Sequence, residues 1–484
     1  MFVSIIITII AFFCLAIIKP FIEEGNAEFL FSGNNTKYAI SSNLGSVCSL
    51  ALFSSIVALT FKIGPYALTL LVPALLINCI ICLKIIPKKI PEFNTGECNS
   101  LVSVINQRYG RDESLPYAVL SILFISLTIA LEIAIFRYCY TEVANNDSIH
   151  AATITYIVVL VCLMYVVKGG FRGVLITDHL QTLLIAILIS VSIPVFSNAT
   201  IPSLELQFPI AQKFTVTTLI SSLPQFFVLI FCLSLWFPTM MDFGIRNHGT
   251  IDFKRGKHII ISFILLSLFL FGMVMFSLIL QNSSNLPIDL DQPFYHFVYF
   301  ISALKDNSAA TLIDISSIGI SDNYTYLALI AVGLFISLSS LTTIDTMLIT
   351  AAQLSDATAK KQNPRVIILI VCTISSIISI FSTKSVFAGI GTVWASLFIH
   401  YCSIFFFLFI TKKGEKHIGI SITISTLAVF CTMAYAGYTN WQLFIAMDGT
   451  LCLIYLLAYP TCNLLFNISG RLIYGTKGLL KSWI

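Results

Sequence analysis

Residues 259–280 run for 22 positions without a single Asp, Glu, Lys or Arg. As an α-helix such a run is about 33 Å long, enough to cross a hydrocarbon core of about 30 Å. It is one of about thirteen apolar runs, each long enough to span. They lie at 2–20, 44–61, 66–87, 116–138, 150–167, 174–196, 216–237, 258–281, 324–352, 365–382, 386–410, 418–438 and 441–466. The strands of a membrane β-barrel would alternate in polarity, and a run like 259–280 does not. Only 10% of the 484 residues are charged and 57% are apolar, against about 25% charged in a soluble domain. A soluble enzyme is excluded. The expected fold class is an all-α polytopic protein embedded in a lipid bilayer.

Thirteen crossings put the termini on opposite sides. With the N-terminus outside, 22 of the 27 Lys and Arg residues fall in inner loops, and only Lys62, Arg137, Lys213, Lys305 and Lys384 lie outside. Such an inward bias of basic residues sets orientation, so the chain is expected in the cell membrane with a cytoplasmic C-terminus. Because the basic residues sit at helix ends, the net charge of +4 gives no sign of a nucleic-acid partner. The thirteen cysteines lie mostly inside apolar runs and read as small packing residues. Sequons at Asn146, Asn198, Asn282 and Asn323 fall in outer loops and those at Asn34 and Asn467 in inner ones, which leaves glycosylation open.

Two spans carry interruptions. Span 44–61 contains Ser54 and Ser55 near mid-depth, and span 216–237 contains Ser221, Ser222, Pro224 and Gln225. Proline removes a backbone donor and frees carbonyls that must find partners within the membrane. Each interrupted span opens a block of five, which points to an inverted-repeat transporter with its site at the breaks. Ordinary kinks in packed membrane helices would use the same residues, so both readings stand. On the first, Ser54, Ser55, Ser221, Ser222 and Gln225 line a solute cavity.

Ionisable residues inside spans are costly and mark function or pairing. Here they are Glu132, Asp178, His179, Asp345 and His400. Asp178 and His179 lie about one turn inside the cytoplasmic end of their helix, within reach of water. Glu132 and Asp345 are deeper and join the cavity candidates. Glu132 either pairs with Arg137, five residues on and poorly faced for it, or faces the cavity and meets a solute cation or carries a proton. His400 fits a core imidazole bonded to a carbonyl. Residues 337–346 form the densest hydroxyl cluster, with Ser339, Thr342, Thr343 and Thr346 on one helix face. Hard neutral oxygens of this kind suit an alkali cation, and they suit a packing seam between helices equally.

The order of these motifs resembles that of the sodium:solute symporter family. Lys168-Gly169-Gly170, followed by Thr177-Asp178 and Gln181, is similar to the family's glycine pair and Thr-Asp-x-x-Gln at the start of its fifth core helix. Thr342-Thr343-Ile344-Asp345-Thr346 resembles its Ser-Thr-x-Asp-Ser motif in core helix eight. The basic stretch 246–256, the Lys412-Lys413 turn and Gln107-Arg108-Tyr109-Gly110 resemble the family's loops. The likeness covers residues 44–440 and departs at Asp242, at Gly389 to Gly391 and at Glu132.

The resemblance implies a LeuT-like fold of two inverted five-helix repeats. Residues 1–43 would hold one extra helix, 44–196 and 197–411 the repeats, and 412–484 two further helices. A sodium ion would then sit between core helices one and eight, held by the hydroxyls of Thr342 and Thr343 and the carbonyls of Ser339, Leu50 and Phe53. Asp178, with Gln181 beside it, would line the cytoplasmic path. The expected function is sodium-coupled symport of a small polar solute, with sodium as coupling ion and no other cofactor. A solute sensor that keeps the fold without transporting is the alternative. No Walker-type phosphate loop is present to drive transport with ATP, and no His or carboxylate cluster at one membrane face suggests an enzyme.

The charge asymmetry is directly testable. In a cysteine-depleted background, a membrane-impermeant thiol reagent applied outside should label a cysteine placed at Asn146 or Asn323 and spare one at Lys254 or Lys412. The reverse pattern would overturn the thirteen-helix topology.

Overall fold

The computed structural model describes residues 66–93, 100–143, 148–197, 255–283, 322–358 and 363–380, together with residues 29, 30, 40, 42–45, 49, 50, 56 and 60. All regular structure among them is helical. Helix α1, Tyr66–Ile80, continues through a π-helical turn at Ile81–Ile85 into the short α2, Ile86–Lys89. Next come α3 Leu101–Tyr109, α4 Arg111–Val143, α5 Ser148–Ser197, α6 Arg255–Ser283, α7 Asp322–Thr358 and α8 Pro364–Ile380. The expected spans at 66–87, 116–138, 150–167, 174–196, 258–281, 324–352 and 365–382 are all found as helix. Those at 2–20, 216–237, 386–410, 418–438 and 441–466, and most of 44–61, lie outside the described residues. So do Phe53, Ser54, Ser55, Ser221, Ser222, Gln225 and His400.

Polarity is arranged with apolar side chains outward. On α6, Ile264, Leu268, Phe271 and Met275 are exposed, Leu268 by 62%, at the i, i+4, i+7, i+11 spacing of one helix face. Val72, Leu76 and Ile80 do the same on α1, and Leu115, Val119 and Leu123 on α4. An exposed apolar stripe of this kind matches a hydrocarbon solvent. Many inward-facing hydroxyls of the described helices are satisfied locally, since backbone carbonyls one turn back accept from them. Examples are Ser121 to Tyr117, Thr128 to Phe124, Thr155 to Ala151 and Ser375 to Val371, at 2.7 to 3.0 Å.

Among the described residues, four helical stretches are long and apolar enough to cross a membrane: Ala67–Ile85, Arg111–Thr141, Ala151–Leu184 and Gly333–Ser355. Burial ranks them. The last is 83% buried over its apolar window and the first only 35%, so α7 is central and α1 peripheral. Helix α7 packs against α3, α4, α5 and α8, and α8 closes over α4 and α5, while α6 lies against α1. From Ile336 to Thr346 every residue of α7 is buried. A helix buried all round needs no amphipathic stripe, which is why its hydroxyls are not confined to one side.

The turn before α4 explains the Arg-Tyr-Gly element. Ser100 caps α3 in a reciprocal box, its Oγ accepting from the Ser103 amide at 3.2 Å while the Ser103 Oγ accepts from the Ser100 amide at 2.9 Å. The helix ends at Gly110, whose φ of +97° lets α4 start at once. Arg108 donates through two nitrogens to the two carboxylate oxygens of Glu92, both at 2.8 Å. That hydrogen bonding pushes the guanidinium pKa up from its ordinary value.

The two spans expected at 150–167 and 174–196 are two helices, the two limbs labelled together as α5, which meet at a kink with no loop between them. The break is a single residue, Gly170, with φ +54° and ψ −152°. A side chain there would overlap the Phe29 carbonyl oxygen and come within 2.9 and 3.1 Å of its ring. Phe29 and Leu30 are held on the other side by α7 and α8. The Leu30 carbonyl accepts from Gln353 Nε2 at 2.7 Å, the Arg365 guanidinium lies 4.6 Å over the Phe29 ring, and Arg365 Nε donates to the Val167 carbonyl at 3.2 Å. Gly170→Ala should therefore lower thermal stability by about 1–3 kcal/mol, whereas Gly169→Ala, where an added Cβ meets nothing within 4 Å, should change it little. Melting curves of the two purified variants decide this, and equal losses would refute the assigned strain.

Candidate functional site

Two carboxylates, one from each helix, are buried where α5 and α7 pack together. Asp178 stands on the second limb of α5, and both it and Asp345 on α7 are fully buried. A carboxylate removed from water needs donors to replace its hydration. Asp178 Oδ1 accepts from Thr342 Oγ1 and its Oδ2 from Ser42 Oγ, both at 2.7 Å. Asp345 Oδ2 accepts from the Tyr165 hydroxyl and lies 3.1 Å from Thr177 Oγ1, with Thr346 Oγ1 at 3.3 Å from its Oδ1. The Tyr165 hydroxyl in turn accepts from the Cys162 thiol at 3.6 Å. Each helix thus gives the other one carboxylate and one threonine. The neighbouring positions 177 and 178 of α5 face 342 and 345, one turn apart on α7.

The third element is the short stretch 42–45. It approaches the crossing closely enough that a Cβ on Gly45 would lie 3.0 Å from Thr342 Oγ1 and 3.2 Å from Asp178 Oδ1. Glycine is needed here for contact, not for a special backbone conformation. Asn43 extends the same stretch toward α6, donating from Nδ2 to Ser262 Oγ at 3.3 Å.

Of the residues expected to bind sodium, Ser339, Thr342 and Thr343 are brought together on buried α7. The Thr343 hydroxyl donates to the Ser339 carbonyl at 3.1 Å, and the Thr342 hydroxyl donates to Asp178. Each has given away its only hydrogen, so its lone pairs are what it can offer a cation. The Ser339 and Ser340 hydroxyls and both polar atoms of the Gln181 amide are buried with no hydrogen-bond partner. Gln181 lies one turn beyond Asp178 on α5 and is fully buried. Unsatisfied groups are rare in a folded interior, and hard oxygens without partners are what an ion or ordered water takes up.

The structure adds to three of the expected placements. The sequence puts Asp178 and His179 both within reach of water, but α5 turns Asp178 fully inward and leaves only His179 of the two exposed, because consecutive residues project about 100° apart on a helix. Asp345, a cavity candidate, is bonded at the contact of α5 and α7. For Glu132 the sequence offers two partners, Arg137 and the cavity. The structure supplies a third, because its Oε2 accepts from the Leu50 amide at 3.3 Å. Sequence reasoning missed Ser42, Gly45, Tyr165 and Thr177 as members of the site. Thr177 carried a signal, as the first residue of the Thr-Asp-x-x-Gln motif, while Ser42 and Tyr165 join carboxylates 136 and 180 positions away.

No family model matches this sequence, and no curated protein sequence matches it. Among solved structures the chain is similar to a Na+-coupled sialic acid symporter, substrate-bound and outward-open, with a novel Na+ site. The TM-score is 0.67 at 18% identity, over 96% of this chain and 97% of that one. It is also similar to a variant manganese transporter of Eremococcus coleocola, with a TM-score of 0.54 at 14% identity over 90% and 95% of the two chains. At such identities the likeness is one of fold. Together with the apolar helices it makes this chain a multi-pass membrane protein of a fold that transporters use.

The close packing at Gly45 is checked by a double-mutant cycle. Gly45→Ala should destabilise by about 1–3 kcal/mol through overpacking. In a Thr342→Ala background, where the crowding oxygen is gone, the loss should shrink by at least about 0.5 kcal/mol. Additive losses would show that the two residues do not press on each other.

Proposed function

We propose that this chain is a secondary active transporter that couples inward sodium movement to the uptake of a small polar solute by alternating access. The observation that carries the reading is the buried hydroxyl set of α7 beside Asp178, with the partnerless Ser339, Ser340 and Gln181 side chains around it. Hydroxyls that approach Asp178 and Asp345 stabilise these carboxylates without neutralising them. A monovalent cation does both, and an arriving ion finds neutral oxygens from Ser339, Thr342 and Thr343 next to a fixed negative charge.

The fold shared with a Na+-coupled symporter supports the same reading, as does the motif order that resembles the sodium:solute symporters. On it, the thirteen helices form the LeuT-like pair of inverted repeats, with the N-terminus outside and the C-terminus in the cytoplasm. Sodium sits among Thr342, Thr343, Ser339, Leu50 and Phe53. Asp178 and Gln181 lie on the route to the cytoplasm, and the solute occupies a cavity at the breaks near Ser54, Ser55, Ser221, Ser222 and Gln225.

Sodium titrations of the purified chain, with choline replacing sodium at constant ionic strength, should show a saturable rise in melting temperature. Thr342→Ala combined with Thr343→Ala removes two of about five ligands and should abolish that rise while the protein still reaches the membrane. An unchanged sodium curve in the double variant would place the ion elsewhere.

A further inference from the structure

Where an interrupted helix resumes inside a membrane, its first N–H groups have no carbonyl one turn back and no water to replace it. Leu50 meets this condition. Residues 42–45 are helical, Ser49 is not, and Leu50 is helical again. Ser49 thus interrupts the helix ahead of the Ser54 and Ser55 pair, which lies outside the described residues.

The N–H of Leu50 donates to Oε2 of Glu132 at 3.3 Å, 82 positions away on α4. Both residues are completely buried, and Ile129, Leu131, Ile133 and Phe136 around Glu132 on its own helix are buried and apolar. The arrangement is mutually favourable, since a helix start carries partial positive charge and a carboxylate placed there is stabilised.

Residues 42–45 and Leu50 are thus each anchored to a buried carboxylate. Asp178 holds the former through Ser42, with Gly45 packed against the same carboxylate, and Glu132 holds the latter. The first anchor ties residues 42–45 to α5 and α7 and the second ties Leu50 to α4.

We propose that Glu132 is a positioning residue of the sodium site. Its carboxylate holds the Leu50 amide and thereby fixes where the helix resumes, beyond residues 42–45 that pack beside the ion-binding hydroxyls of α7. The proposal rests on the sodium reading given above and goes beyond it, because Glu132 acts through the backbone of another helix and meets neither ion nor solute. What matters in the side chain is an acceptor oxygen of the right reach. Gln keeps that oxygen without the charge, Asp keeps the charge but is one methylene short, and Ala has neither.

The test is the sodium titration of thermal stability on the full chain, with three variants. Glu132→Ala should raise the sodium concentration at half-effect by about tenfold or more, the scale of one lost hydrogen bond to a charged group. Glu132→Asp should behave like Glu132→Ala, and Glu132→Gln should rescue the midpoint to within about threefold of the unaltered chain. If Glu132→Ala fails to fold, the Asp and Gln variants still separate reach from charge. A Gln variant as impaired as Ala, or an Asp variant as good as the unaltered chain, would make charge the operative property and overturn the proposal. An unchanged midpoint in Glu132→Ala would overturn it while leaving sodium coupling intact. Absence of any sodium effect in the unaltered chain would overturn both.

Discussion

The crossed exchange between α5 and α7 is the interaction on which the described structure turns. Asp178 reaches across to Thr342 and Asp345 lies against Thr177, so the helices are joined by two carboxylates whose donors come mainly from each other. Neither carboxylate could sit fully buried in an apolar bundle without such donors. The further donors, Ser42 and Tyr165, bring in the stretch before the first break and the first limb of α5. Three parts of the chain distant in sequence, residues 42–45, α5 and α7, are therefore held by one small group of polar contacts. The surrounding apolar faces are non-directional and could slide.

Polar contacts have this authority because of the solvent outside. In water, burial of apolar surface would dominate and a few hydroxyl bonds would be details. In lipid, Leu268 or Leu76 gains little by turning inward, since hydrocarbon solvates it equally well. Packing and directed hydrogen bonds then decide which helices associate. The central helix α7 is accordingly the one richest in buried hydroxyls, and the peripheral α1 shows mainly Leu and Ile to its surroundings.

Much of this was legible in the sequence, for physical reasons. A membrane fixes helix length, so 258–281, 324–352 and 365–382 could be read within a few residues of Arg255–Ser283, Asp322–Thr358 and Pro364–Ile380. The importance of Thr342, Thr343, Asp178 and Asp345 was also visible, because ionisable and hydroxyl residues in a span are too costly to be incidental. Their partners were not. Nothing local to Tyr165 or Ser42 marks them as donors to a carboxylate far along the chain. Glu132 was conspicuous for its depth, yet only three dimensions show that it answers an amide at Leu50. Gly169 and Gly170 read as a connection between two spans, and local sequence does not reveal that helical geometry resumes at once on the far side.

That single-residue joint has a mechanical meaning. A loop between two helices absorbs displacement, since its many torsions can adjust independently. Gly170 offers only its own pair, and the Phe29 backbone already occupies the space beside it. The limb that carries Asp178 is therefore the arm of a lever whose fulcrum is also the seat of Phe29 and Leu30. Any swing of that arm is felt at once at the Leu30 to Gln353 bond and under the Arg365 guanidinium, without slack to lose it in.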